Sequence, residues 1–335
     1  EKKLEEQHDW VESTKEYELD TRVIDPKELA QLVTGATPPW LGAMYTASDG
    51  RAEPHKTTPA IARAATRSGA KILTSCAVRG IESSGGRVSS VVTEHGTIQT
   101  STVLCAAGAW TSTFCRSMDI QVPQLRVRGT VARTAPAEKL LDGCLFDNRL
   151  GIRRRDDGGY TVAHGSSLDH GITPSTLRYA FKFLPALKKE FKVLRLRFGK
   201  DFFDELAMPT HWSLDEQTPF EKLRVLNPAP SKRVLRKIRK NLDAMLPQMA
   251  NVDIVEAWAG MVETSPDVVP IIGEVGEVAG FHIATGFSGH GFGIGPGAGK
   301  GLAAMVTGAD SAIDLTPFRL SRFFDGSPIR PMTAI

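Results

Sequence analysis

The residues best placed to do chemistry lie near the carboxyl end, and most of them are backbone. Ile283-Ala284-Thr285 reads as a short buried strand, GFSGHGFGIGPGAG follows from Gly286, and KGLAAMVTG from Lys300 reads as a helix. A strand, a run of glycines and a helix N-terminus bring several N–H groups and a positive dipole end to one point. Such a place suits an electron-rich oxygen or nitrogen of a bound molecule. Its candidate residues are Gly286, Ser288, Gly289, His290 and Gly291. His290 could bias a nearby amine toward its neutral form or hydrogen-bond a ligand edge; the other reading is a loop histidine bonded to backbone. Upstream, Trp258-Ala259-Gly260-Met261 runs into the turn Ser265-Pro266-Asp267. Earlier still, Thr102–Ala107 reads as a buried strand ending in Ala106-Ala107-Gly108-Ala109-Trp110, where a helix starts and glycine permits close backbone approach.

Competing motifs fail on single residues. Gly299-Lys300 suggests a phosphate-binding loop, but Ile294 stands where the first glycine belongs and Gly301 where a hydroxyl is needed. Gly286-Phe287-Ser288-Gly289-His290 misses a hydrolase nucleophile elbow at its last position. The eight histidines form no HExxH and no cysteine pairing at metal spacing, so no metal is expected. A GxGxxG dinucleotide fingerprint is missing in every frame.

These pieces must be positioned by a scaffold of 335 residues, about two domains' worth. Hydrophobic content of 41% and charged content of 24% fit a globular chain and exclude a collagen-like or disordered one. No apolar run approaches the ~18 residues of a membrane span, and EKKLEEQHDW lacks the apolar core of a signal peptide. Cys76, Cys105, Cys115 and Cys144 form no CxxC pair, which points to a reducing compartment. A net charge of +3 demands no anionic partner, and no motif points to nucleic acid.

Helix starts are expected at Asp25-Pro26 and Thr58-Pro59, the second helix stopping at Gly69. Lys71-Ile72-Leu73 reads as a strand. Arg87–Thr93 and Thr97–Thr100 read as a strand pair about Glu94-His95-Gly96, and Asp157-Gly158-Gly159 as a hairpin turn. Ser231–Met249 is the clearest helix, with Ile238, Leu242, Met245 and Leu246 on one face. Lys188–Lys200, basic and interleaved with Phe and Leu, reads as a solvated amphipathic face. Strand-rich and helix-rich pieces alternate without a break, which predicts a mixed α/β fold of interleaved domains.

Taken together, the motifs resemble the D-amino-acid oxidase-like group of FAD-dependent oxidoreductases, the group of glycine and sarcosine oxidases and D-amino-acid and D-hydroxyproline dehydrogenase β subunits. The resembling pieces are Asp49-Gly50 with Glu53-Pro54, Ala106–Trp110, Arg128-Gly129, Trp258-Ala259-Gly260 with Ser265-Pro266-Asp267 and Pro270, and Gly286–Gly291. They cover nearly the whole chain except about 168–230. The resemblance implies a cofactor domain from 55–118 and 255–320 and an antiparallel-sheet substrate domain from 1–54 and 119–254. It implies FAD, with Val78 by the adenine, Ala106, Ala107, Gly108 and Trp110 by the pyrophosphate or ribose, and Gly260 and Met261 near the ring. The Gly286–Gly291 amides would face the ring's N1–C2=O2 edge. No cysteine stands near Gly260 to tether a flavin, so binding should be non-covalent.

The family's opening strand–GxGxxG–helix unit is the part expected to be missing from these residues or supplied by another chain. The implied reaction takes hydride from the Cα of an amino acid or secondary amine (D-hydroxyproline, proline, an opine or a D-amino acid) to flavin N5 and leaves an imine. Some relatives carry a substrate-clamping Arg in the turn where Met261-Val262 stand here, so Arg153 is the candidate clamp, with a plain surface arginine as the other reading. Iron–sulfur or nucleotide-binding partner subunits are implied as well, docking on 182–200, in the cytoplasm or peripherally at the inner membrane. The rival reading is a non-catalytic subunit or scaffold that binds no FAD.

Overall fold

Asp25 caps a helix as its sequence predicts: its carboxylate accepts from the N–H groups of Lys27 and Glu28, both at 2.8 Å, and Pro26 opens the helix Pro26–Leu32. In this computed structural model, which describes residues 2–37, 40–190, 194–276 and 278–332, such elements assemble into two compact units. The first unit is made of 1–70, 130–166 and 229–259, the second of 71–129, 167–228 and 260–335. Set beside the division implied by the resemblance, 55–70 falls in the first unit and 167–228 in the second. Strands Leu125–Thr134 and Ile254–Thr264 contribute residues to both.

In the first unit an antiparallel sheet carries the core. Residues 130–134 pair with Tyr160–Ala163, which pairs with Gly151–Arg154, which pairs with Cys144–Phe146. The hairpin turn at 157–159 forms as expected, with Gly158 at φ 82°. Ala132, Ile152 and Val162 lie in one register row and are fully or nearly fully buried. Against them the helix Lys232–Met245 turns Val234, Ile238, Leu242 and Met245, at the helical spacing seen in the sequence. Ser231 holds the cap position, but its side chain makes no capping bond; its N–H instead donates to Thr130 Oγ1 at 3.1 Å. The helix expected from Thr58 begins one turn earlier, as Pro54–Arg67, and carries Pro59 inside it.

The second unit is built on a three-stranded sheet in which Phe281–Thr285 lies between antiparallel Ile271–Glu274 and parallel Val103–Cys105. Phe281 and Ile283 point to one core with Phe114, Cys115 and Val122; Ala284 points to the other, with Ile272 and Leu302. A meander of Val78–Ser84, Arg87–Thr93 and Gly96–Gln99 follows the predicted strand pair. Lys71-Ile72-Leu73 forms no strand: nothing among the described residues pairs with it, and Ile72 and Leu73 are 52% and 64% exposed. Part of 167–228 supplies Leu168–Gly171 and Leu194–Arg197, which pair in parallel. The helix expected from Lys300 begins nine residues earlier, inside the glycine run, as Gly291–Thr307, and is ended by Gly308 at φ 68°.

Ile238 is 0% exposed at the centre of the first unit's core. Ile238→Ala should lower unfolding free energy by about 2–5 kcal/mol in urea titrations. A loss below ~1 kcal/mol would show that this helix does not anchor the core.

Candidate functional site

All twelve residues expected to line a cofactor fall in the second unit. The turn after Phe281–Thr285 is shaped by three left-handed residues, Gly286 (φ 71°), Ser288 (φ 54°) and Gly289 (φ 91°). Glycine is needed at Gly286, where a Cβ would lie 3.3 Å from the Ser265 Cβ. Ser288, not glycine, is held there by its own bonds. Its N–H donates to Glu263 O (3.1 Å) and its Oγ to Gly286 O (2.9 Å), while Ser265 N–H donates to Ser288 Oγ (3.4 Å). Thr264 and Phe287 form a bridge alongside. The Glu263–Ser265 part of the Trp258–Pro270 motif and the Gly286–Gly291 motif, some twenty residues apart in sequence, are therefore one piece of structure.

The Ala106–Trp110 motif joins them. Gly108 sits at φ 53°, and its carbonyl accepts from Thr285 Oγ1 (3.3 Å) and Gln124 Nε2 (2.8 Å). A Cβ on Gly108 would lie 3.9 Å from Glu263 Oε2, and one on Gly289 would lie 3.9 Å from Val262. Ala106, Ala107, Gly260, Gly289 and His290 are exposed, so the surface of this cluster is open. The helix Gly291–Thr307 begins here. First-turn N–H groups have no acceptor within their own helix; those of Gly291 and Phe292, and that of Gly289 just before the cap residue, donate to nothing among the described residues. Added Cβ atoms at Gly293, Gly295, Gly297 and Gly299 would meet nothing within 4 Å. Free amides, a helix N-terminus and side-chain-free backbone are what an electron-rich ring edge requires.

Behind the cluster, Asp267 and Arg322 form a buried pair, Arg322 Nε to Asp267 Oδ2 at 2.8 Å and Nη2 to Oδ1 at 3.0 Å. Arg322 also donates to the carbonyls of Phe318, Arg319 and Val269. Ser265 Oγ donates to Asp267 Oδ1 (3.1 Å) and Val269 O (2.7 Å). Between them Val268 is forced to φ 63°, an outlier for a β-branched residue.

Val78 sits at the edge of the meander, 36% exposed. Its neighbour Arg79 pairs with Glu221 through two bonds of 3.1 and 3.0 Å, and Trp212 Nε1 donates to Arg79 O. Trp110 and Trp212 each meet Phe220 edge-on at 5.4 Å. Glu94 accepts from Ala77 N–H and from both Arg224 amino groups, and these bonds, Arg224's first, push its carboxyl down to about 2.

Arg153 lies in the first unit and is spent there. Its guanidinium donates to Ala52 O (2.8 Å), Glu53 Oε2 (3.1 Å) and Thr161 Oγ1 (3.1 Å). Burial pushes Glu53 up, but the Arg153 bond, the Asp156 amide and the Arg155 charge outweigh it and hold the carboxyl below its ordinary value. A substrate carboxylate could engage Arg153 only by displacing a buried Glu53. Two residues of the candidate site escaped sequence reasoning. Glu263 could have been noticed between Gly260 and Ser265; Arg322, fifty-five residues from Asp267, carried no local signal.

Comparison with known proteins bears on the family and the fold. The family model described as FAD dependent oxidoreductase (DAO) matches residues 1–305. Mitochondrial sarcosine dehydrogenase of Mus musculus is 25% identical over 92% of this chain and 30% of its own length. The hydrogen cyanide synthase subunit HcnC of Pseudomonas protegens is 25% identical over 86% of this chain and 56% of its own. The chain thus spans between about a third and three-fifths of the length of these curated relatives. Among solved structures, the L-amino acid deaminase from Proteus myxofaciens in complex with anthranilate shows 35% identity and a TM-score of 0.91 over 96% of this chain and 73% of that one. The L-proline dehydrogenase from P. horikoshii, 21% identical with a TM-score of 0.74, shares the fold.

Arg322→Met should leave Asp267 charged, buried and unpaired, a loss of about 3–5 kcal/mol measurable by urea unfolding. A variant as stable as the parent would show that the pair does not hold the turn.

Proposed function

Since the chain belongs to the DAO family of FAD-dependent oxidoreductases, we propose that it oxidises the carbon–nitrogen bond of an α-amino acid or a related secondary amine. The observation that carries this reading is the convergence of Gly108, Glu263 and the left-handed Gly286–Gly289 turn at a helix N-terminus whose first amides are free. An isoalloxazine edge fits that cradle, because backbone N–H donors and a helix dipole stabilise negative charge gained on reduction. Gly108 and Ala107 would lie along the chain of phosphates and sugar, and Val78 beside the adenine. The absence of cysteine near Gly260 supports a non-covalent cofactor.

When bound, the flavin supplies a two-electron acceptor for the hydride leaving the substrate Cα, and the resulting imine hydrolyses in water. The chain's own residues orient and shield. His290, exposed at the helix cap position, can accept a proton from an incoming ammonium, since only the neutral amine releases hydride readily. Glu263 aims a carboxylate toward Gly108 and can accept a hydrogen bond from ligand hydroxyls or from the substrate amine. The 35% identity to an L-amino acid deaminase supports a primary amino acid; the sarcosine dehydrogenase relatives support an N-methyl amine. The subunit relatives support a place in a larger assembly.

The test uses the full-length protein. It should absorb near about 450 nm, a property of oxidised flavin, and should bleach anaerobically with one member of a panel of L- and D-amino acids, proline, D-hydroxyproline, an opine and sarcosine. A coloured protein that nothing in the panel bleaches overturns the substrate class; a protein colourless with added FAD favours the scaffold reading. Gly289→Val, which strains a φ of 91° and sets a side chain beside Val262, should retain the fold by circular dichroism yet lose most of the visible absorbance. Full colour in that variant would place the flavin elsewhere.

A further inference from the structure

Within and around Lys188–Lys200, the segment whose sequence reads as a solvated amphipathic face, large apolar side chains also stand exposed. Phe181 is 91% exposed, Leu177 62%, Phe198 65%, Phe203 58% and Leu206 64%. Phe181 and Leu184 lie three apart on the helix Ala180–Glu190, with Lys188 one turn beyond on the same side. Phe198, Phe202 and Phe203 form a ring cluster with centroids 5.1 to 6.0 Å apart, two of its three rings mainly in solvent. Leu177 is tied to that cluster's helix, Lys200–Leu206, because Ser175 N–H and Oγ both donate to Glu205 Oε1 (2.9 and 2.5 Å). Residues 191–193 lie outside the described residues and take no part here.

Around these side chains the charge is basic: the described residues of 177–206 hold seven Lys or Arg against four Asp or Glu, although Lys182 donates to Phe323 O and Lys189 to Pro331 O. Of the acids, Glu205 is engaged by Ser175 and lies 3.9 Å from Arg116, and Asp204 lies 3.8 Å from Lys200. Arg178, Lys188 and Arg195 are exposed. Exposed rings and leucines set among basic side chains, on short helices and beside an edge strand, match the chemistry of an interfacial anchor: rings enter the acyl boundary while ammonium and guanidinium groups meet lipid phosphates. A protein partner would instead favour a continuous apolar core with charge confined to its rim. No described helix is long and apolar enough to cross a membrane, so contact would be at the surface.

We propose that the described residues of 177–190 and 194–206 form a membrane-surface docking face, and that its occupant is a bilayer bearing anionic lipid headgroups. The proposal does not depend on the flavin reading, and its test is read without catalysis. Full-length protein is sedimented with vesicles of phosphatidylcholine containing about 30 mol% phosphatidylglycerol, and with phosphatidylcholine alone. Binding should be roughly tenfold tighter to the anionic vesicles and should weaken in high salt. Phe181→Ser, at a position with almost no fold contacts, should weaken it several-fold, and adding Phe198→Ser and Phe203→Ser should reduce it by roughly tenfold or more, with thermal melting and visible spectrum unchanged. Lys188→Gln with Arg195→Gln should remove the preference for anionic lipid. Three results overturn the proposal: no pelleting with either vesicle; undiminished pelleting of the triple phenylalanine variant; or self-association in sedimentation velocity that this variant abolishes, which would give the face to a second copy of the chain. A colourless protein that still binds vesicles leaves the docking face intact and removes only the flavin reading.

Discussion

The buried ion pair between Asp267 and Arg322 sets the geometry on which the candidate site depends. Taking two charges out of water costs more than their attraction returns unless every donor and lone pair is used. Here that condition is nearly met: Asp267 takes two bonds from Arg322, one from Ser265 and one from Val269, and Arg322 places its remaining donors on backbone carbonyls. What the pair secures is a shape. Val268 is held at φ 63°, a conformation costing on the order of 1–3 kcal/mol for such a residue, and the turn so fixed presents Ser265 beneath Gly286.

From that support the chemistry is delegated to backbone. The helix Gly291–Thr307 contains six glycines and one proline, and each interior glycine costs about 0.5–1 kcal/mol relative to alanine. Packing explains only part of this. Gly291 would bring a Cβ within 3.0 Å of Phe287, and Gly301 within 3.2 Å of Leu315, but Gly293, Gly295, Gly297 and Gly299 face nothing within 4 Å. Gly293 and Gly297 share one side of the helix and Gly295 and Gly299 another, so a chain that accepts a few kcal/mol of helix instability here keeps backbone bare on two sides. The same logic joins Gly108, Gly286 and Gly289, all at positive φ in one cluster.

Much of this could be read from sequence, and the failures have two causes. Capping and periodicity are local, so the Asp25 cap, the 157–159 hairpin and the Lys232–Met245 helix follow from neighbouring residues. The motif triplet at 106–110, 258–267 and 286–291 was legible because each piece is a short backbone device. The sequence marks that last helix only from Lys300, because glycine's low helix propensity hides its first nine residues when the packing around them is unseen. Arg322 and the exposed Phe181–Leu206 face were illegible for a different reason. Both depend on which residues far apart in the chain meet, or fail to meet, and a periodic apolar pattern does not say which side turns toward the core.

Arg153 shows the same limit acting on a functional guess. Bidentate geometry makes arginine the natural clamp for a carboxylate, and GIRRR offers three in a row. Yet Glu53, 4% exposed, is already a carboxylate in need of a partner, and leaving it unpaired would cost several kcal/mol. Arg153 and the more distant Arg155, at 3.7 Å, satisfy it from the sheet, while the Asp156 amide closes the third side. An arginine becomes available to a ligand only after the buried acids of its own unit are neutralised, and in the first unit that prior claim takes the residue whose sequence context looked most like a clamp.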